Sequence, residues 1–344
     1  MHPARLWKSL KDGMVRCGLC SHVCLIEEGG RGLCGVRQNR GGELFTLVYD
    51  RVAAVNVDPV EKKPLYHFLP GSRTFSFGTM GCNLGCSFCQ NASLSQPPRQ
   101  GRPVQGQQAS PESLVEAALE AGCRSVSYTY SEPTIFFELM QDTARLAKRR
   151  GLANIMVSNG FMTPECLDEL AGLIDAANID LKAFTPGFYK EVCQARLEPV
   201  KRNLIHMRRL GWWLEVTTLV IPGLNDSPEE LAAMAGFIAS ELGTHTPWHL
   251  SRFHPDFRLV DVPHTPEKTL ETAWQAGRQA GLDSVYVGNL PGNAHNSTLC
   301  PGCGKAAIER QGFALLGGTL ADGACSACGF KLSGRFREAG PGGG

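Results

Sequence analysis

The chain has 344 residues, 43% of them hydrophobic, and a formal net charge of +1, enough for one large α/β domain with small additions. The near-neutral balance, with no sustained basic stripe, excludes the electrostatic footprint of a general nucleic-acid binder. No stretch approaches the roughly 20 apolar residues that span a bilayer, and the N-terminus lacks a signal-peptide pattern.

A cytoplasmic location is therefore expected. In that compartment thiols stay reduced, so the 14 cysteines read as metal ligands before disulfides. Residues 1–70 form a cysteine-rich segment carrying Cys17, Cys20, Cys24 and Cys34, with His22 among them, and a strand-like stretch Leu44–Val57. The irregular spacing of these four thiols fits zinc or an auxiliary iron–sulfur cluster equally, so the metal is left open.

From about residue 71 to 292 short β-branched runs alternate with longer amphipathic segments, the pattern of repeated βα units on a parallel sheet. Strands are expected at Thr74–Met80, Ser125–Tyr130, Asn154–Ser158, Ala177–Lys182, Leu214–Ile221, Trp248–Phe253 and Ser284–Val287. Helix starts are expected at Ser110-Pro111-Glu112, Thr163-Pro164-Glu165, Ser227-Pro228-Glu229 and Thr265-Pro266-Glu267. Each offers a hydroxyl N-cap, a proline at the first helical position and a first-turn carboxylate. Six or seven units are too few for a closed eight-stranded barrel. The expected fold is thus α/β, a partial (β/α)6-type TIM barrel with small cysteine-rich N- and C-terminal extensions, and chemistry at the strand C-termini.

The first strand runs directly into Cys82-Asn-Leu-Gly-Cys86-Ser-Phe-Cys89. Chance alone gives roughly 0.02 occurrences of this three-cysteine spacing in such a chain. A [4Fe-4S] cluster normally takes four cysteines, so three local thiolates leave one iron open to another ligand. Lone Cys123, Cys166 and Cys193 read instead as buried, inert thiols.

Cys82, Cys86 and Cys89, with Phe88 before the last, resemble the signature of the radical S-adenosylmethionine (SAM) superfamily. Within it the chain looks most like the AmmeMemoRadiSam-system radical SAM group, which is similar to pyruvate formate-lyase activating enzymes. Asp58-Pro-Val-Glu-Lys-Lys-Pro-Leu-Tyr-His67 and Cys89-Gln90-Asn91 support the likeness, which covers about residues 70–290. The resemblance implies a [4Fe-4S] cluster whose open iron is chelated by SAM. It also implies an electron donor such as flavodoxin or ferredoxin, and a 5′-deoxyadenosyl radical that abstracts hydrogen from substrate.

Polar groups to hold that cofactor are expected at the strand ends. Ser131 and Glu132 stand where the superfamily has a Gly-Gly-Glu-type turn, although the glycines are absent, and a helix cap is the alternative for Glu132. Ser158 and Asn159 suit a ribose or carboxylate contact, or an ordinary turn. Asp180 and Lys182 alternate on one strand face, as a cofactor-side pair or a structural ion pair. His254 resembles a histidine near the adenosyl group, whereas His249 reads as a core histidine.

Residues 296–336 carry Cys300-x2-Cys303 and Cys325-x2-Cys328, a zinc-ribbon pattern of two knuckles closing one tetrahedral site, with a second iron–sulfur cluster as the alternative. The Gly340–Gly344 tail reads as disordered. The function expected is radical SAM chemistry on an unidentified substrate. A glycyl-radical protein, an RNA and a small molecule all remain open, and a non-catalytic metal-ribbon scaffold is the rival from another class.

Overall fold

A computed structural model describes residues 1–336; the Gly340–Gly344 tail lies outside the described residues. One sheet dominates, and it begins with β1 (Arg51–Pro59), which pairs antiparallel with β2 (Arg73–Thr79). There follow β3 (Ser125–Tyr128), β4 (Ala153–Ser158), β5 (Ala176–Asp180), β6 (Trp213–Val220), β7 (Trp248–Arg252) and β8 (Val285–Gly288). From β2 to β8 the strands are parallel and adjacent in chain order, and β8 forms the open edge of the sheet.

The connecting helices are α1 (Pro111–Glu120), α2 (Phe137–Arg149), α3 (Pro164–Asp168), α4 (Leu197–Arg209), α5 (Pro228–Phe237) and α6 (Glu267–Gln279). Seven parallel strands and six crossovers make the partial barrel that the alternation predicts. All seven expected strands form. β3 stops at Tyr128 and β5 at Asp180, two residues short of expectation, because the chain there turns away to wall a cavity.

Three of the four hydroxyl–proline starts cap as expected. Ser110, Thr163 and Ser227 accept from the backbone N–H of Ser113, Cys166 and Glu230. The fourth does not: α6 is preceded by Pro266, with no side-chain cap. Thr265 is fully buried, and its hydroxyl instead donates to the Val220 carbonyl (2.6 Å) and accepts from Phe253 N–H (2.8 Å). Tying together the ends of β6 and β7 outweighs capping at that position.

The N-terminal segment folds as two small antiparallel sheets, Trp7–Ser9/Val15–Cys17/Leu25–Ile26 and His2–Pro3/Glu43–Thr46/Arg37–Arg40. Its apolar residues Val15, Leu19, Ile26, Val36 and Leu44 are continuous with the barrel core. A buried Arg37–Glu138 pair (3.0 Å) fastens it to α2.

Residues 60–69 thread into the N-terminal half of the barrel and close it from below. Tyr66 and His67 donate their backbone N–H groups to the Glu215 carboxylate on β6 (3.0 and 2.8 Å), and Asn178 on β5 donates to the Pro64 carbonyl (2.8 Å). Val60, Leu65, Phe68 and Leu69 pack there on Ile155 and Ala176. With that end plugged, the barrel opens at the C-terminal ends of its strands.

Candidate active site

That open end holds a cavity of about 590 Å³ whose wall includes Cys82, Cys86, Cys89, Ser131, Glu132, Ser158, Asn159, Asp180 and Lys182. Sequence-predicted groups from four separate strand ends are thus brought together. The cysteine loop leaves β2 at Met80 and is gripped by the segment after β5: Gly85 N–H donates to the Cys193 carbonyl and Ser87 N–H to the Val192 carbonyl, both at 3.0 Å.

Each sulfur already has polar neighbours. Leu84 N–H donates to Cys82 Sγ (3.4 Å), Asn159 Nδ2 lies 3.8 Å from the same atom, and the Ser95 hydroxyl sits 3.2 Å from Cys89 Sγ. Burial pushes the Cys82 thiol well up, and the neighbouring Cys193 thiol followed by burial does so for Cys86. Thiols held protonated in this way become thiolates when a metal displaces the proton.

Spacing separates this triad from a single-ion site. Four thiolates around one zinc stand about 3.8 Å apart, from tetrahedral geometry at the usual Zn–S length. Among the described residues, only Cys300, Cys303, Cys325 and Cys328 form a group of three or more ligand atoms all within 4.8 Å of one another. The wider setting of Cys82, Cys86 and Cys89 suits a cluster whose thiolates sit on different irons. Two buried polar atoms on the same loops, Asn83 Nδ2 and Ser131 Oγ, have no protein partner. The donor set and these open hydrogen-bonding positions fit an iron–sulfur cluster with a polar organic ligand.

Glu132 takes the capping role that was its alternative, while still lining the cavity. Its carboxylate accepts from Thr134 N–H (3.0 Å), Thr134 Oγ1 (2.5 Å), Ser158 Oγ (2.7 Å) and Asn159 N–H (2.8 Å). It caps the turn Pro133–Phe136 and orients Ser158 and Asn159, although burial pushes its own pKa up. Asn159 in turn donates to Asn83 Oδ1 (2.8 Å), so this carboxylate reaches the cysteine loop through one intermediate. Asp180 and Lys182 form an ion pair (2.8 Å) at the cavity wall.

His254 is not brought to the cavity. After β7 the chain is held by the Phe253–Thr265 hydrogen bond and turns outward at Pro255, leaving His254 exposed against its own Pro255 carbonyl (3.3 Å). Ser251 supplies the wall from that strand. His249 is a satisfied core histidine, bonded to Glu215 at 2.6 Å.

Two features escaped the sequence reading. Lys62, Lys63 and Tyr130 also line the cavity, gathered on Asp58: Lys62 Nζ at 3.0 Å, Lys63 Nζ at 2.6 Å and Tyr130 OH at 2.6 Å. Tyr130 adopts a left-handed φ of +65°, uncommon for a bulky residue and typical of functional loops. The turn fits because Gly78 lacks a side chain; a Cβ there would lie 2.3 Å from the Thr129 carbonyl oxygen. The second feature is Cys193, fully buried as expected but set beside Cys86. Only a three-dimensional contact reveals it, whereas Lys62 and Lys63 lie in the Asp58–His67 stretch quoted for the family likeness, a signal that could have marked them.

A family model, the radical SAM superfamily, matches residues 77–235. An uncharacterized protein of Methanocaldococcus jannaschii is 42% identical over 334 residues, covering 96% of this chain and 99% of that protein. The chain belongs to the radical SAM superfamily. A probable GTP 3′,8-cyclase of Methanococcus vannielii is 29% identical over 68% of this chain and 80% of its own length. The benzylsuccinate synthase activating enzyme of Thauera aromatica is 22% identical over 59% and 67%. Radical SAM membership makes the chain an enzyme and implies SAM and a [4Fe-4S] cluster. The C-terminal thiols offer a further metal site. No helix among the described residues is long and apolar enough to cross a membrane.

Proposed function

We propose that the chain reductively cleaves SAM at a [4Fe-4S] cluster held by Cys82, Cys86 and Cys89, and abstracts hydrogen from a substrate that enters the same cavity. The observation that carries this reading is the placement of three widely set thiols on the β2 loop, facing a cavity of about 590 Å³, a size that encloses a cofactor-sized ligand. When bound, the cluster and SAM supply the electron transfer and the radical chemistry. The protein's own groups position them. Asn159 and Leu84 N–H hydrogen-bond the Cys82 sulfur, Ser131 and Ser158 offer polar contacts to the cofactor, and the Asp180–Lys182 pair places an acid and a base beside it.

A ferredoxin- or flavodoxin-type donor would deliver the electron. A glycyl-radical protein is the substrate class favoured by the likeness to an activating enzyme. The C-terminal thiols are read as a structural zinc site and the N-terminal four as ligands of a second metal. The test is an anaerobic assay for 5′-deoxyadenosine with dithionite and SAM. Wild type should form it, and Cys82→Ala/Cys86→Ala/Cys89→Ala should form none; no product from iron-loaded wild type would refute the reading.

A further inference from the structure

The N-terminal thiols are folded toward one another by three devices. Cys17 and Cys24 flank the Val15–Cys17/Leu25–Ile26 ladder, with Cys17 N–H donating to the Cys24 carbonyl (2.9 Å). Val23 turns back onto the Cys20 carbonyl (3.0 Å) at a φ of +50°, a conformation a β-branched residue holds only where its surroundings impose it. The arm bearing Cys34 packs on the first, since a Cβ on Gly32 would lie 3.8 Å from Cys24 Sγ.

A second observation points to a ligand. Arg37 is fully buried beside Cys17 and Cys34, and its Nε and Nη1 have no acceptor. Its Nη2 is taken by Glu138, but a buried guanidinium edge without an acceptor is costly, and the thiolate and sulfide sulfurs of a metal centre would supply acceptors for Nε and Nη1. The spacing argues against a preformed single-ion site. No three of these four sulfurs lie within 4.8 Å of one another, unlike the C-terminal four and like Cys82, Cys86 and Cys89.

The group also abuts the cysteine loop of the cavity. His22 Nε2 bonds the Asn83 carbonyl (2.8 Å), and Arg99 Nη1 donates to the carbonyls of Leu33 (3.2 Å), Cys82 (3.4 Å) and Asn83 (3.1 Å). Backbone adjoining Cys34 and Cys82 is therefore clamped on a single nitrogen.

We propose that Cys17, Cys20, Cys24 and Cys34 ligate a second iron–sulfur cluster, set directly against the loop that carries the first. This rests on reading the four thiols as metal ligands, and it selects iron over zinc.

Metal and sulfide analysis of anaerobically reconstituted protein tests it. Wild type should hold about eight irons and Cys82→Ala/Cys86→Ala/Cys89→Ala about four, as expected for [4Fe-4S] centres. The residual iron should give a reduced EPR signal that SAM does not alter. Adding Cys20→Ser/Cys24→Ser to the triple variant should remove that iron, and Cys24→Ser alone should cost wild type about half of its iron. Two zincs and no iron in the triple variant would overturn the cluster while leaving the ligand reading intact. One zinc and no iron would overturn both. Residual iron that survives Cys20→Ser/Cys24→Ser would place the second cluster elsewhere and also overturn the proposal.

Discussion

The two terminal cysteine groups have similar composition and opposite architecture. At the C-terminus the thiols are already in single-ion contact, Cys300 Sγ to Cys328 Sγ at 3.6 Å and Cys303 Sγ to Cys325 Sγ at 3.8 Å, with Cys303 and Cys328 exposed. They organise a small core of their own, with Ala307 and Leu332. The N-terminal thiols are set wider, with Cys17 and Cys34 buried in the barrel core and Cys24 packed against it, and His22 among them bonds the loop of Cys82, Cys86 and Cys89. A module that closes its own site can serve as a detachable staple. A group that shares its core and hydrogen bonds with the cavity is coupled to whatever happens there.

The largest effect that separates the two is metal loss. Cys300→Ser/Cys325→Ser should remove one zinc per chain and leave residues 296–336 open to proteolysis, since a structural zinc supplies folding energy outright. Iron content and 5′-deoxyadenosine formation should persist. Loss of iron together with the zinc would show the C-terminal module to be part of the catalytic fold rather than an attachment to it.

Much of this was legible in the residues. The βα alternation gave every parallel strand, and the C-x3-C-x2-C loop fell at the end of the first, because period and motif spacing are local properties. What failed was non-local. Thr265 carries a capping sequence yet spends its hydroxyl on Val220 and Phe253 across β6 and β7. His254 follows β7 as expected but is exposed and is not among the residues lining the cavity. Glu132 was ambiguous until its four hydrogen-bond donors were in place. The cluster of Lys62, Lys63 and Tyr130 on Asp58 joins residues up to 72 positions apart, a distance no motif spans.

An intermediate effect is expected at Asn159, which touches Cys82 Sγ and Asn83 and takes its own orientation from Glu132. Partners that orient metal ligands typically carry a factor of 10–100 in affinity or activity. Asn159→Ala should therefore slow 5′-deoxyadenosine formation by roughly 10–100-fold while the zinc content stays unchanged. Equal losses at both metal sites would mean a global folding defect and would dissolve the contrast between the regions.

The smallest effect lies where the C-terminal module meets the barrel plug. His67 is buried, bonded to Tyr286 OH (2.6 Å) and to the Ser333 carbonyl (2.8 Å), and burial lowers its pKa from 6.5. Glu215, His249 and Arg310 are its charged or titratable surroundings; Glu215 is held below its usual 4.5, most strongly by the hydrogen bond from His249. The unfolded chain therefore binds a proton at His67 before the folded one does, so stability falls as pH drops below about 6.5. The Glu215 contribution is lost only further down, as pH falls below 4.5. His67→Phe should cost roughly 1–3 kcal/mol at neutral pH through the hydrogen bonds it abandons, and it should flatten the thermal midpoint between pH 6.5 and 5. If the variant keeps the wild-type slope in that window, the titrating group is elsewhere and the junction does not sense protons.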